Sequence, residues 1–163
     1  MPDWIVTAFS PAGLLVVVLQ QIPGIVWALH PPKVDPFAHN SGSALVEALE
    51  KTFGIATVGL LVLVLARIPG LPGNTAPFLV GALLVLAAYY ASYVLYYRGV
   101  TSLPVLLGMA AFPPLCFVLV ALYQGNWPAI GTAVVFGVVH VSLTYANLGP
   151  SATERRRRDA ESP

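Results

Sequence analysis

The sequence predicts an all-α fold, a polytopic transmembrane helix bundle with five spans, and three observations lead to this class. Nonpolar residues (Ala, Val, Ile, Leu, Met, Phe, Trp, Tyr and Cys) make up 57% of the 163 residues, and charged residues make up 9%, against about 25% in ordinary soluble domains. The mean hydropathy is +0.78. Five stretches approach the roughly 20 apolar residues that a helix needs to cross the hydrocarbon core of a bilayer. A soluble enzyme, a nucleic-acid-binding protein and a disordered scaffold are excluded, because each needs more polar surface than this chain contains.

The five predicted spans follow one another through short connections rich in glycine, proline and other turn residues. They cover about residues 4–29, 44–66, 76–97, 103–123 and 128–147. Gln20, Gln21 and Pro23 interrupt the first span, and charged residues occupy the opening turns of the second. Pro113 and Pro114 lie in the middle of the fourth span. The third and fifth spans contain no charged residue. Residues 1–149 are therefore predicted to form a single transmembrane domain.

The first stretch is predicted to be a retained span rather than a secretory signal peptide. It has no basic residue before the apolar run, and it ends in Trp27, Ala28 and Leu29 instead of the small residues of a cleavage site. The alternative is a bundle of four spans, with the N-terminal segment re-entrant or lying in the membrane interface. Five spans are preferred, because so long an apolar stretch needs a nonpolar environment.

The basic residues predict the orientation of the bundle. With five spans, Lys33, Lys51, Arg98 and the arginine run at 155–158 fall on one side, and Arg67 falls on the other. Under the positive-inside rule, the C-terminus lies in the cytoplasm. The N-terminus then lies outside with five spans and inside with four, so the preferred five spans place it outside. Residues 150–163 then form a polar, arginine-rich cytoplasmic tail of a multi-pass protein of the cell membrane. The excess of Arg over Lys, with abundant Ala, Gly, Val, Leu and Pro, is typical of a high-GC bacterial genome.

Polar residues within the spans predict a pocket that opens toward the cytoplasm. At a rise of about 1.5 Å per residue, polar side chains of the first, third and fifth spans fall at a similar depth in the cytoplasmic half of the membrane. A donor or acceptor that faced lipid would be costly, so these side chains are expected to face one another. The predicted ligand-binding residues are Gln20, Gln21, Tyr89, Tyr93, His140 and Thr144, and the predicted rim consists of Glu47, Glu50, Lys51 and Arg98.

His140 is the ionisable residue predicted to lie well inside a span, and such residues are functional candidates. No carboxylate is predicted to lie deep in the membrane, which argues against proton- or sodium-coupled transport by the usual route. The chain contains no H-E-x-x-H, C-x-x-C, G-x-S-x-G or P-loop motif. No catalytic residue, metal site or cofactor is therefore predicted.

The expected function is non-catalytic, namely the binding or passage of a small apolar or aromatic ligand, or of a lipid, through this pocket. Two alternatives remain open. In the first alternative, the chain is a structural or accessory subunit of a larger membrane complex. In the second, it is a membrane-embedded enzyme in which His140 and a tyrosine form an acid–base pair. The expected partners are the lipid bilayer, the small ligand or lipid, and a second copy of the chain or another membrane protein. No nucleic-acid partner is expected.

Overall fold

The computed structural model describes residues 5–6, 9–32, 43–63, 65–66 and 75–148. It contains five helices: α1 (Pro11–Leu29), α2 (Ala44–Leu63), α3 (Ala76–Tyr97), α4 (Leu103–Gln124) and α5 (Trp127–Asn147). Two strands of two residues each, β1 (Ile5–Val6) and β2 (Leu65–Ala66), pair antiparallel. Apart from this short pairing, the regular structure of the described chain is helical, and the predicted all-α class is confirmed.

Four of the helices in the described chain, α1, α3, α4 and α5, are long and apolar enough to cross a membrane. The remaining helix, α2, has a comparable length of 20 residues. It differs from the others because Glu47, Glu50 and Lys51 lie in its first two turns. The architecture is that of a multi-pass membrane protein in which α2 packs among four strongly apolar helices.

Helix α1 begins at Pro11 and not near residue 4, where the first span was predicted to begin. The side-chain oxygen of Ser10 accepts a hydrogen bond from the backbone N–H of Gly13 at 3.1 Å, which makes Ser10 an N-cap. Pro11 suits the first helical position, because the N–H that proline lacks has no helical partner there. Ile5–Val6 and Leu65–Ala66, predicted as the ends of the first two spans, are instead extended and pair with each other.

Helices that follow one another in the chain run in opposite directions. Helices α1, α3 and α5 run from the end that contains Ser10 to the end that contains Arg98, and α2 and α4 run back. The closest packing joins α3 to α4, α4 to α5 and α5 to α2, and α1 completes the bundle against α2, α3 and α4. Leu61, Cys116 and Val120 lie in the core, with at most 1% of each residue exposed. Because α1 is packed less extensively than the other helices, openings lie on both sides of it.

Polar side chains at the Ser10 end close the bundle. The last carbonyl groups of α2 have no helical donors. Asn126 Nδ2 donates to the carbonyl oxygen of Leu60, and Gln124 Nε2 donates to that of Leu61, both at 2.9 Å. Gln124 Nε2 also donates to Ser10 Oγ at 2.8 Å. These bonds place the start of α1, the end of α2 and the α4–α5 turn at one level.

Candidate functional site

A carboxylate and an imidazole from two neighbouring helices contact each other toward the Arg98 end. Glu50 Oε1 of α2 lies against His140 Nδ1 of α5, and their side chains are 20% and 27% exposed, respectively. At a rise of 1.5 Å per residue, each residue is about 10 Å from its helix end. Glu50, predicted at the rim, and His140, predicted inside the pocket, therefore form one unit. A carboxylate does lie within the bundle, contrary to the expectation from the sequence.

Two residues one helical turn away explain how the pair comes together. A Cβ at Gly54 would lie 3.3 Å from the ring of Phe136, so glycine at this position leaves room for that ring between α2 and α5. The Phe136 ring stacks on the imidazole of His140, with centroids 5.1 Å apart and an interplanar angle of 24°. This stacking fixes the plane of the imidazole, and the ring edge that carries Nδ1 reaches Glu50.

The Glu50–His140 pair borders an open cleft of about 500 Å³, which we call the α1/α2/α5 cleft. It is lined by Gln21 of α1, by Glu50, Lys51, Gly54, Ile55 and Val58 of α2, by Phe117 of α4, and by Phe136 and His140 of α5. The polar residues of α2 and α5 lie toward the Arg98 end, and the apolar residues lie one or two turns deeper. The cleft is therefore amphipathic along its length.

The mouth of this cleft carries an exposed ion pair. Lys51 Nζ lies 4.0 Å from Glu47 Oε2, with side-chain exposures of 73% and 30%, at i,i+4 spacing on α2. Exposed pairs of this kind contribute little to stability, because solvent screens the attraction and two long side chains must be held still. Lys51 therefore supplies a positive charge at the mouth without a strong partner.

A second opening lies on the other side of α1, between α1 and α3. It has a volume of about 330 Å³, and we call it the α1/α3 groove. Its lining consists of Ile22, Pro23, Val26, Tyr90, Tyr93, Val94, Tyr97 and Arg98. Apart from the guanidinium of Arg98 and the phenol hydroxyls, these side chains are apolar.

Two tyrosines hold α1 beside α3 along this groove. The Tyr90 hydroxyl donates to the carbonyl oxygen of Leu19 at 2.6 Å. This carbonyl has no helical donor, because the residue four positions later is Pro23, which lacks an N–H. The Tyr97 hydroxyl donates to the carbonyl oxygen of His30 at 3.1 Å. The backbone group that proline frees in α1 is thus satisfied by a side chain of another helix, as membrane interiors require.

Three of the predicted binding residues line neither opening. Gln20 is 4% exposed, and neither atom of its side-chain amide has a hydrogen-bond partner within the described residues. Tyr89 is 6% exposed, and its ring meets that of Tyr93 edge-on, with centroids 5.1 Å apart. Thr144 is half-buried on α5.

The structure therefore divides the predicted pocket between two openings that α1 separates. The α1/α2/α5 cleft takes Gln21, Glu50, Lys51 and His140, with Glu47 beside Lys51, and the α1/α3 groove takes Tyr93 and Arg98. Depth along a helix was predictable, but the order of helices around the bundle was not, and that order decides which polar residues meet. Which of these residues bind a ligand stays a prediction.

Sequence reasoning missed five of the residues that line the cleft: Gly54, Ile55, Val58, Phe117 and Phe136. A signal for Phe136 existed, because it precedes His140 by one helical turn on the same face. The depth of Glu50 from the start of α2 also matches that of His140 from the end of α5, and this match predicts a contact once α2 and α5 are neighbours. Nothing in the sequence distinguishes Phe117 from other core residues of α4.

The Glu50–His140 pair can accept hydrogen bonds from a ligand. When the Nδ1–H of His140 donates to Glu50, the neutral imidazole keeps a lone pair on Nε2, and the protonated imidazole carries a second N–H there. The carboxylate of Glu50 keeps further acceptor capacity on both oxygens. A hydroxyl or N–H group is therefore the chemistry that this pair suits best.

No cluster of three or more His, Cys, Asp or Glu side chains that could hold a metal ion occurs among the described residues. The chain matches no protein family, no curated protein and no solved structure. The function is therefore argued from the geometry of the two openings.

Proposed function

We propose that the protein binds a small amphiphilic molecule in the α1/α2/α5 cleft, a molecule with an apolar or aromatic body and one hydrogen-bond donor. The observation that carries the proposal is the Glu50–His140 pair at the polar end of a cleft of about 500 Å³ with an otherwise largely apolar wall. Ionisable groups within a membrane bundle are costly, and function is the usual reason for their presence. Stability alone does not account for this pair, because apolar residues at such positions often stabilise a fold equally well.

The walls of the cleft suit the body of such a ligand. Phe136, which packs against the buried ring of Phe117, gives the wall aromatic surface, which favours a flat ring over a branched chain. Ile55 is 74% exposed, so the α2 side of the cleft is open to the surrounding lipid. A ligand of this class concentrates in the bilayer and enters from the side.

The alternative of an enzyme with a His–Tyr acid–base pair receives no support from this cleft. None of the residues that line it is a tyrosine, whereas the tyrosines of α3 line the groove on the other side of α1. No particular contact favours the alternative of an accessory subunit. Ligand binding is therefore the function that the described geometry supports best.

The proposal includes a bacterial cell-membrane location with the C-terminus in the cytoplasm. Lys51 lies toward the same end of the bundle as Arg98, and the positive-inside rule assigns basic residues to the cytoplasmic side. The mouth of the cleft then faces the cytoplasmic half of the membrane.

Binding of N-phenyl-1-naphthylamine tests this function. This neutral amine has an aromatic body and one N–H donor, and its fluorescence rises in apolar sites. We expect saturable binding to the protein in nanodiscs above the signal of empty nanodiscs. Glu50→Gln and His140→Gln should each weaken it about tenfold, the loss expected for one hydrogen bond to a charged group. The matched control is Glu154→Gln, which removes the same charge at a position beyond the last predicted span.

A steric pair of variants on α2 completes the experiment. Gly54→Leu places a side chain against Phe136 inside the cleft, whereas Gly59→Leu adds the same side chain where a Cβ meets nothing within 4 Å. Only Gly54→Leu should abolish probe binding. Equal affinity for wild type and Glu50→Gln, or no saturable binding to wild type, would contradict the proposal. A large loss of thermal stability in His140→Gln with unchanged affinity would show that the pair only joins α2 to α5.

A further inference from the structure

The α1/α3 groove contains one charged side chain that has no acidic partner among the described residues. Arg98 follows the last turn of α3 and is exposed. The ion pairs between described residues are Glu47 with Lys51 and Glu50 with His140, and neither includes Arg98. In the part of the chain that the structure describes, no carboxylate lines the groove. The guanidinium is therefore available to an anion from outside the chain.

Apart from Arg98, the groove offers a ligand few hydrogen-bond donors, because two of its three phenol hydroxyls already donate within the protein. Tyr90 bonds the carbonyl of Leu19, and Tyr97 bonds that of His30. What the groove then presents between α1 and α3 is the aliphatic surface of residues such as Ile22, Val26 and Val94, together with aromatic rings. This surface is continuous from Arg98 toward the interior of the bundle.

We propose that the α1/α3 groove binds an anionic phospholipid, with the lipid phosphate on Arg98 and one acyl chain along Ile22, Val26 and Val94. A guanidinium at the end of an apolar groove complements a phosphate at the end of an apolar chain, and arginine binds phosphate through two parallel hydrogen bonds. Tyrosines such as Tyr97, 41% exposed, are typical of the depth at which lipid headgroups meet the hydrocarbon core. Basic pockets between transmembrane helices are a known form of headgroup site. This site has lining residues different from those of the α1/α2/α5 cleft, and its proposal does not rest on the function proposed for that cleft.

Native mass spectrometry of the full-length protein measures this site directly. The protein is released from detergent after equilibration with phosphatidylglycerol or with phosphatidylcholine of the same acyl chains. We expect the wild type to retain phosphatidylglycerol preferentially. Arg98→Gln should reduce its retention about tenfold, to the level of phosphatidylcholine, because the charge-assisted interaction with a lipid of net negative charge is lost. The choline of phosphatidylcholine carries a positive charge that repels the guanidinium and offsets its attraction to the phosphate. Arg98→Lys keeps the charge and should restore part of the preference.

The controls separate a specific site from general attraction to a basic protein. Arg156→Gln removes the same charge at another position of the chain and should leave most of the preference for phosphatidylglycerol, because it weakens only the general attraction between a basic protein and an anionic lipid. Val94→Trp should fill the groove and lower retention of both lipids, whereas Leu95→Trp, exposed on the same helix but outside the groove lining, should not. No preference for phosphatidylglycerol in wild type overturns the proposal. An equal effect of Arg98→Gln and Arg156→Gln overturns it as well.

Discussion

At the scale of single residues, Gln20 is the least expected feature of the core. Its amide is buried in α1, and neither the nitrogen nor the oxygen has a hydrogen-bond partner in the described part of the chain. Burying an unpaired polar group costs free energy, because its hydrogen bonds to water are lost and not replaced.

Replacing Gln20 with leucine should therefore stabilise the protein. We expect the free energy of unfolding in detergent to rise by about 1–3 kcal/mol, the cost of leaving buried polar atoms unsatisfied. Gln21→Leu is the matched control, because Gln21 is exposed in the cleft, and its change should stay within about 0.5 kcal/mol. A loss of stability in Gln20→Leu would show instead that the amide holds a buried water molecule or ligand.

Pro23 and Tyr90 show how the sequence specifies one contact between distant residues. The proline leaves the carbonyl of Leu19 without a donor, and the tyrosine supplies one from α3. The sequence predicts that this carbonyl needs a partner, but it does not predict which helix provides it. Tertiary packing alone selects Tyr90 from several tyrosines on α3.

At the scale of helices, the crossing of α1 and α2 depends on Gly13. A Cβ at this position would overlap the carbonyl oxygen of Leu61 and approach Gln124 Nε2 to 2.8 Å. The same atoms belong to the hydrogen-bonded group that closes the Ser10 end. The close approach of α1 to α2 and the hydrogen bonds to the last α2 carbonyls therefore involve the same atoms.

Gly13→Ala should destabilise the bundle, and Gly24→Ala should stabilise it. In the first variant the methyl group meets backbone that cannot move without breaking the Gln124 bonds, and overpacking of this kind costs about 1–3 kcal/mol. In the second variant the Cβ meets nothing within 4 Å, so only the higher helix propensity of alanine acts, about 0.5–1 kcal/mol. Thermal unfolding followed by circular dichroism measures both. Equal effects of the two substitutions would rule out a close α1–α2 crossing.

Most of the helical content was predictable from sequence, because apolar runs of membrane length have few other stable conformations. The start of α1 was not predicted, although Ser10 and Pro11 form a recognisable capping signal. The apolar character of residues 4–9 outweighed that signal, since hydropathy measures where a residue prefers to lie and not whether it is helical. The Glu50–His140 contact was not predicted, because helix order around a bundle leaves no mark in a single sequence.

At the scale of the whole molecule, the alternating helices place Ser43 and Ser102 at the Arg98 end and Phe9 at the Ser10 end. Basic residues at the Arg98 end predict that this end faces the cytoplasm. All three positions are exposed, and Cys116 is 1% exposed. Single-cysteine variants at the three positions therefore report orientation with little background from the native thiol.

A membrane-impermeant maleimide should label Phe9→Cys in intact bacterial cells. It should label Ser43→Cys and Ser102→Cys only after the cells are opened, because the proposed orientation puts those residues on the cytoplasmic side. The labelled fraction on a mass-shift gel gives the result. Labelling of both Phe9→Cys and Ser43→Cys in intact cells would contradict a membrane crossing by α1. Labelling of Ser43→Cys and Ser102→Cys without Phe9→Cys would show the inverted orientation.

Helix α1 forms one side of both openings, with Gln21 facing the cleft and Ile22 facing the groove. Any sideways displacement of α1 that widens one opening narrows the other. If both proposed ligands bind, occupancy on one side should lower affinity on the opposite side, and the effect should be reciprocal, as linkage requires. The headgroup composition of the surrounding leaflet would then regulate binding of the amphiphile proposed for the cleft.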